Sequence, residues 1–196
     1  MSNANDLSED AHHFKGRLKS ATAPIWAPVV PDDHIRGCQT AKAKVIEYGD
    51  YQCFRCVKAR KILKIIQRQV ENQILFVFRH FPRSDIHPFA QYAAEAAEAA
   101  CSQQQFWQMH DRLLNLGVAL DDASSVEHAI ALNLNINQFL QEMKKDLHMK
   151  RVLQDVETGT KSDVSNTPTF SINNLQLEGD LEEPVLFKAI QHKLQQ

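Results

Sequence analysis

Glycine is scarce in this chain, six among 196 residues, and none belongs to a GxxxxGK or GxGxxG run. Nucleotide-dependent chemistry is therefore not expected. No stretch of about 18 apolar residues occurs, which excludes a transmembrane helix. Neither sign of charge dominates: Lys+Arg 22 against Asp+Glu 24 leaves a net charge of -2. That balance gives no electrostatic case for nucleic-acid partners or membrane insertion. The first ten residues, Met1 to Asp10, lack both a basic n-region and an apolar h-region, so the chain is expected to be cytoplasmic. Ser2-Asn3-Ala4 also matches an expression scar, and a trimmed leader would reverse that expectation. Internal repeats and low-complexity segments are missing too. Cysteine is sparse at four.

What is present is an ordinary globular composition, 43% hydrophobic and 23% charged, with room for one substantial core. Two of the cysteines fall together in Cys53-Phe54-Arg55-Cys56. The apolar run Val45-Ile46-Glu47-Tyr48 before them reads as a buried strand. After them Ala59, Ile62, Leu63, Ile66 and Val70 recur at helical spacing. A CxxC pair at a strand-to-helix turn is a thioredoxin-type redox arrangement. Cys53 then stands at the helix start, where free N–H groups and the helix dipole favour an anion. Cys56 stands one turn further in, shielded. The plainer alternatives are two structural thiols or half of a zinc site.

A distant second motif bears on that choice: Asn166-Thr167-Pro168-Thr169-Phe170, with Pro168 introducing an apolar strand, a position where proline is tolerated. Together the two motifs resemble the DsbA-like branch of the thioredoxin superfamily. The resemblance runs from Asp33-His34-Ile35-Arg36-Gly37 to the C-terminal helix, through Phe78-Arg79-His80-Phe81-Pro82, His87-Pro88 and Phe106-Trp107-Gln108-Met109-His110-Asp111. It implies that the peptide before Pro168 is cis and packs against the cysteines. It also implies that an acidic residue at the place of Glu47 lies beneath the pair and moves the proton of the buried thiol. Solitary domains of this family further resemble the soluble tail of some bacterial sodium/proton antiporters. Two departures stand out: Phe54 and Arg55 replace the usual proline and tyrosine or histidine between the cysteines, and Asn166 and Asn174 stand where glycine is favoured.

The expected fold is α/β, a thioredoxin-like central mixed sheet with an inserted helical subdomain. Residues 1–40, broken by Pro24, Pro28 and Pro31, read as an extended arm pinned by Trp26, Val29 and Val30. Residues 41–196 read as the domain, with the helical insertion at approximately 84–163. Strands are expected at 43–49, 74–78 and from Pro168, with a hairpin through Asn173-Asn174. Helices are expected at 54–71, 89–101 and 106–116, one opening on a Ser124-x-x-Glu127 capping box, a long one at 138–156, and a last one with Pro184 in its first turn.

Cys53 is assigned as nucleophile and Cys56 as resolving thiol. Glu47 is a misfit in an apolar strand, because burying an ionised carboxylate unpaired is costly. Burial should raise its pKa and suit it to proton transfer near neutral pH. Arg55 is assigned as a fixed positive charge that favours the Cys53 thiolate, and Phe54 as an exposed apolar spot for a peptide-like partner. Thr167 and Pro168 are assigned to substrate binding, with an extended segment pairing against the Thr167 backbone. Cys38 and Cys101 read as structural, and His80, His87 and His110 as packing or capping residues. No metal ligand and no dissociable cofactor are assigned. The expected function is thiol–disulfide exchange with protein or peptide thiols and disulfides, or with small thiols such as glutathione. The rival readings are a non-enzymatic redox-sensing or partner-docking module and a structural zinc module using the same pair.

Overall fold

The computed structural model describes residues 17–18, 27–178 and 182–195. Six strands form one sheet: β1 (Arg17–Leu18), β2 (His34–Gly37), β3 (Ala43–Gly49), β4 (Ile74–His80), β5 (Thr169–Ile172) and β6 (Leu175–Glu178). Their order is β1-β6-β5-β3-β4-β2. β3 and β4 run parallel, joined by the crossover helix α1 (Phe54–Val70), and every other pairing is antiparallel. The sheet is thus mixed, as expected for a thioredoxin-like fold.

β3 and β4 lie inside the sheet, and their apolar sequences suit that place. All seven residues of β4 are buried, as a strand covered on both faces requires. Side chains alternate along β3. Val45 joins the larger core with Phe76 and Phe78, whereas Ile46 and Tyr48 join a smaller cluster with Leu75, Val77, Phe81 and Val164 on the other face. Between β4 and β5 lie five helices: α2 (Ala90–Cys101), α3 (Phe106–Leu113), α4 (Asp122–Ala131), α5 (Ile136–Lys144) and α6 (Met149–Lys161). α7 (Glu183–Leu194) carries Pro184 at its start and packs against α1, β3 and β5. Asn173 and Asn174 take φ of 48° and 66° in the β5–β6 turn, the left-handed region asparagine tolerates.

Several local expectations need correction. The helix expected over 138–156 is two helices, because the chain turns at 145–148 with Asp146 at φ 48°. The cap of α4 is Asp121, whose carboxylate accepts from Ser124 N at 3.1 Å and from Ser124 Oγ at 3.0 Å. Ser124 is thus the capped residue and not the cap; an ionised acceptor satisfies a first-turn N–H better than a hydroxyl. Within the expected arm, His34–Gly37 pairs with β4 as an edge strand. Trp26 lies outside the described residues, Val29 packs against the smaller cluster, and Val30 stays 46% exposed. The stretch before β2 is instead held by Arg79. Its guanidinium binds Asp33 through two 2.8 Å hydrogen bonds and also donates to the carbonyls of Ala27 and Pro28.

Candidate active site

The loop from β3 into α1 owes its shape to Asp50. This buried carboxylate accepts from Gln52 N at 2.7 Å, Arg83 N at 2.9 Å and His87 Nδ1 at 2.7 Å. Its backbone carbonyl accepts from Cys53 N at 3.2 Å, and its N–H donates to Cys56 Sγ at 3.4 Å. Gly49 before it sits so close to Phe78 that a Cβ there would collide with the ring. The cysteines are thereby presented at the first turn of α1, where Cys56 N and Val57 N both donate to Cys53 O. Both thiols are free; Cys53 is 7% exposed and Cys56 is fully buried.

The Thr167–Pro168 peptide is cis, and the carbonyl oxygen of Thr167 lies 3.2 Å from Cys53 Sγ. Glu47 is 1% exposed on the central strand β3, flanked by Phe78 of β4 and Phe170 of β5. Its Oε1 has no hydrogen-bond partner among the described residues. Beside it lies a cavity of about 10 Å³, roughly the room one water needs, lined also by Leu63, Phe76, His110, Arg60 and Asp111.

These surroundings split the acidities of the two sulfurs. The Cys53 thiol is pulled down to about 5, chiefly by its hydrogen bond with Cys56, against the opposing effect of burial and with help from Thr167 and the backbone N–H groups of Cys56 and Arg55. Cys56 is pushed well up, by burial first and then by Cys53 and Glu47. Glu47 is raised to about 8, by burial and then by the negative charge of Cys53. The site thus holds a thiolate, a neighbouring protonated thiol and a carboxyl that titrates near neutrality.

Cys53, Cys56, Glu47, Thr167 and Pro168 therefore converge from three separate stretches of chain. Phe54 and Arg55 do not enter the cluster. Phe54 is 56% exposed, with Lys58 Nζ 4.7 Å from its ring centre. The Arg55 side chain is exposed and contributes to the Cys53 thiolate through its backbone N–H, not its guanidinium charge. The sequence reading gave Asp50 no role and assigned its partner His87 to packing or capping. An aspartate three residues before a helix-opening cysteine is a turn-forming signal that could have found it.

Among solved structures the chain resembles oxidised BdbD of Bacillus subtilis, with a TM-score of 0.79 at 19% identity, covering 89% of this chain and 99% of that one. It also resembles α-DsbA1 of Wolbachia pipientis, with a TM-score of 0.74 at 19% identity, over 85% and 93% of the two chains. These likenesses establish a DsbA-like fold. Among sequences, the Na(+)/H(+) antiporter NhaA 1 of Salinispora arenicola is 38% identical over 167 residues, 85% of this chain. NhaA of Herminiimonas arsenicoxydans is 30% identical over 84% of this chain. The chain spans about a quarter, 26%, of the length of these curated relatives. Among the described residues no helix is long and apolar enough to cross a membrane. A family model described as thioredoxin matches residues 30–192, a span that contains the whole cluster around Cys53, and the chain belongs to the thioredoxin family.

Proposed function

We propose that this domain is a thiol–disulfide oxidoreductase working through Cys53 and Cys56. The observation that carries the reading is the convergence of two free thiols three residues apart at the start of α1, the Thr167 carbonyl before cis Pro168 3.2 Å from Cys53 Sγ, and the buried Glu47 carboxyl; the split in the acidities of the two thiols agrees with it. The Cys53 thiolate attacks a partner disulfide, forming a mixed disulfide and releasing one partner thiolate. Cys56 gives its proton to Glu47, and its sulfur attacks Cys53 Sγ. The partner leaves as its second thiolate, and the Cys53–Cys56 disulfide remains. Run backwards, the same steps oxidise a partner dithiol. A stabilised thiolate favours the reduced form and so makes the disulfide the stronger oxidant. The carbonyl of Thr167 beside the sulfur offers an acceptor for the backbone of an extended peptide. Exposed Phe54 supplies an apolar contact next to it, so the natural partners are protein or peptide thiols and disulfides; small thiols such as glutathione reach the same sulfur.

Turnover in insulin reduction or dithiol oxidation tests this, with Cys53→Ser as the inactive control. Cys56→Ser should accumulate mixed disulfides with partners and Cys53→Ser none. Equal capture by both variants would reverse the nucleophile assignment.

A second reading is a redox-sensing or docking module. It is supported by the relatives, whose names describe antiporters and of which this domain matches a quarter. A pair that cycles without turning over any dithiol or disulfide substrate would favour it.

A further inference from the structure

Away from the redox pair, metal-ligand-type atoms from three elements meet in the interior. His34 opens β2, His80 ends β4, and Glu98 lies on α2. His34 Nε2 is 2.6 Å from Glu98 Oε1, and His80 Nε2 is 2.9 Å from the same oxygen. The three residues are 8%, 0% and 4% exposed, and their ligand atoms all lie within 4.8 Å of one another. One turn beyond Glu98 on α2 stands Cys101, half-buried, its Sγ 4.0 Å from His34 Nδ1. The spacing Glu98-x-x-Cys101 puts both side chains on one face of the helix.

Two imidazole nitrogens and a carboxylate oxygen are the donors that zinc-type ions take in sites with three protein ligands. Ligand distances of 2.0–2.2 Å in such sites put the donor atoms roughly 3.3 Å apart, so the cluster has to open by only about half an ångström. The half-exposed Cys101 side is the path from solvent.

We propose that His34, His80 and Glu98 bind a zinc-type divalent ion, with water in the fourth position, tying α2 to the β2–β4 edge of the sheet. In the bound state each imidazole coordinates through Nε2 and carries its proton on Nδ1. His80 Nδ1 is buried and has no partner among the described residues. The site therefore lacks one of the outer hydrogen bonds that typically strengthen metal affinity about 10–100-fold. The proposal does not depend on the redox reading, since it uses neither Cys53 nor Cys56.

The test uses the full chain carrying Cys53→Ser and Cys56→Ser, so that the redox pair binds nothing, kept reduced and dialysed against Zn²⁺ or Co²⁺. One equivalent should bind, and Zn²⁺ should raise the melting temperature. Co²⁺ should give the visible spectrum of a four-coordinate nitrogen and oxygen site. Adding Glu98→Gln, which keeps size and an acceptor oxygen, should weaken binding at least tenfold; His80→Asn should do the same. If no equivalent binds, or if Glu98→Gln and His80→Asn bind as before, the cluster is a hydrogen-bonded triad only and the proposal is overturned.

Discussion

Cys53 Sγ lies 3.2 Å from the carbonyl oxygen of Thr167, a residue 114 positions further along the chain. This contact joins the two motifs and leaves a backbone acceptor at the reactive sulfur. The Thr167 side chain helps to lower the Cys53 thiol, yet the larger cause is the hydrogen bond with Cys56.

The rate of attack by Cys53 on a small disulfide should therefore rise with pH about a midpoint near 5 and then level off. Cys56→Ala removes the largest stabilising contact and should move the midpoint up toward the ordinary 9.0. Arg55→Ala should shift it by less than about half a unit, because an exposed charge is screened by solvent. Thiolate absorbance titration checks all three. A wild-type midpoint above about 8, near that of a free thiol, would sink the assignment.

Glu47 leaves a signature in stability. Between its ordinary 4.5 and about 8, the unfolded chain is ionised there while the folded chain stays protonated. Stability should then fall as pH rises, by at most about 1.4 kcal/mol per unit. The depressed Cys53 acts oppositely: between 5 and 9 its thiolate forms in the folded chain alone, so stability rises with pH and masks the slope. The slope should emerge in the Cys53→Ser/Cys56→Ser variant and vanish again on adding Glu47→Gln. Urea midpoints from pH 5 to 9 decide it; parallel curves with and without Glu47 would return the residue to a packing role.

The parts of the site that were legible in the sequence are those whose chemistry shows locally. The CxxC pair sits between a strand pattern and a helix pattern, Pro168 opens a strand, and Glu47 interrupts an apolar run. What stayed hidden depends on partners far along the chain. Asp50 looks like any turn residue until Arg83 and His87 arrive, and His34 looks like an arm residue until Glu98 meets it. Arg55 misled because adjacency in sequence suggested a charge at the sulfur, while the first turn of α1 points that side chain outward. The long insertion helix misled because 145–148 carries no proline or glycine to announce the break that Asp146 makes.

Asp50→Ala should cost about 2–4 kcal/mol, since it strands the N–H groups of Gln52 and Arg83 and removes the partner of His87. Asp50→Asn, which retains one acceptor oxygen, should cost less. Denaturant unfolding of the reduced protein measures both. A loss under about 0.5 kcal/mol for alanine, the size of an ordinary surface change, would show that the loop holds its shape without the carboxylate.

Arg79 and Asp33 are 2% and 7% exposed and form a two-pronged pair. Breaking it from either side should cost about 3–5 kcal/mol by leaving a buried charge unpaired. In a double-mutant cycle, Arg79→Met with Asp33→Leu should cost clearly less than the sum of the single changes. Additive losses would mean that each residue is held by its other contacts alone.

The hydrogen bond between Cys56 and Cys53 exists only while both sulfurs carry their own electrons, and this fixes how protons follow electrons. Near neutral pH, reducing the disulfide yields one thiolate and one thiol, so two electrons arrive with a single proton. The midpoint potential of the pair should fall by about 30 mV per pH unit above pH 5 and by about twice that below it, where both sulfurs take up protons. The bend in that line marks the acidity of Cys53 as electrons see it.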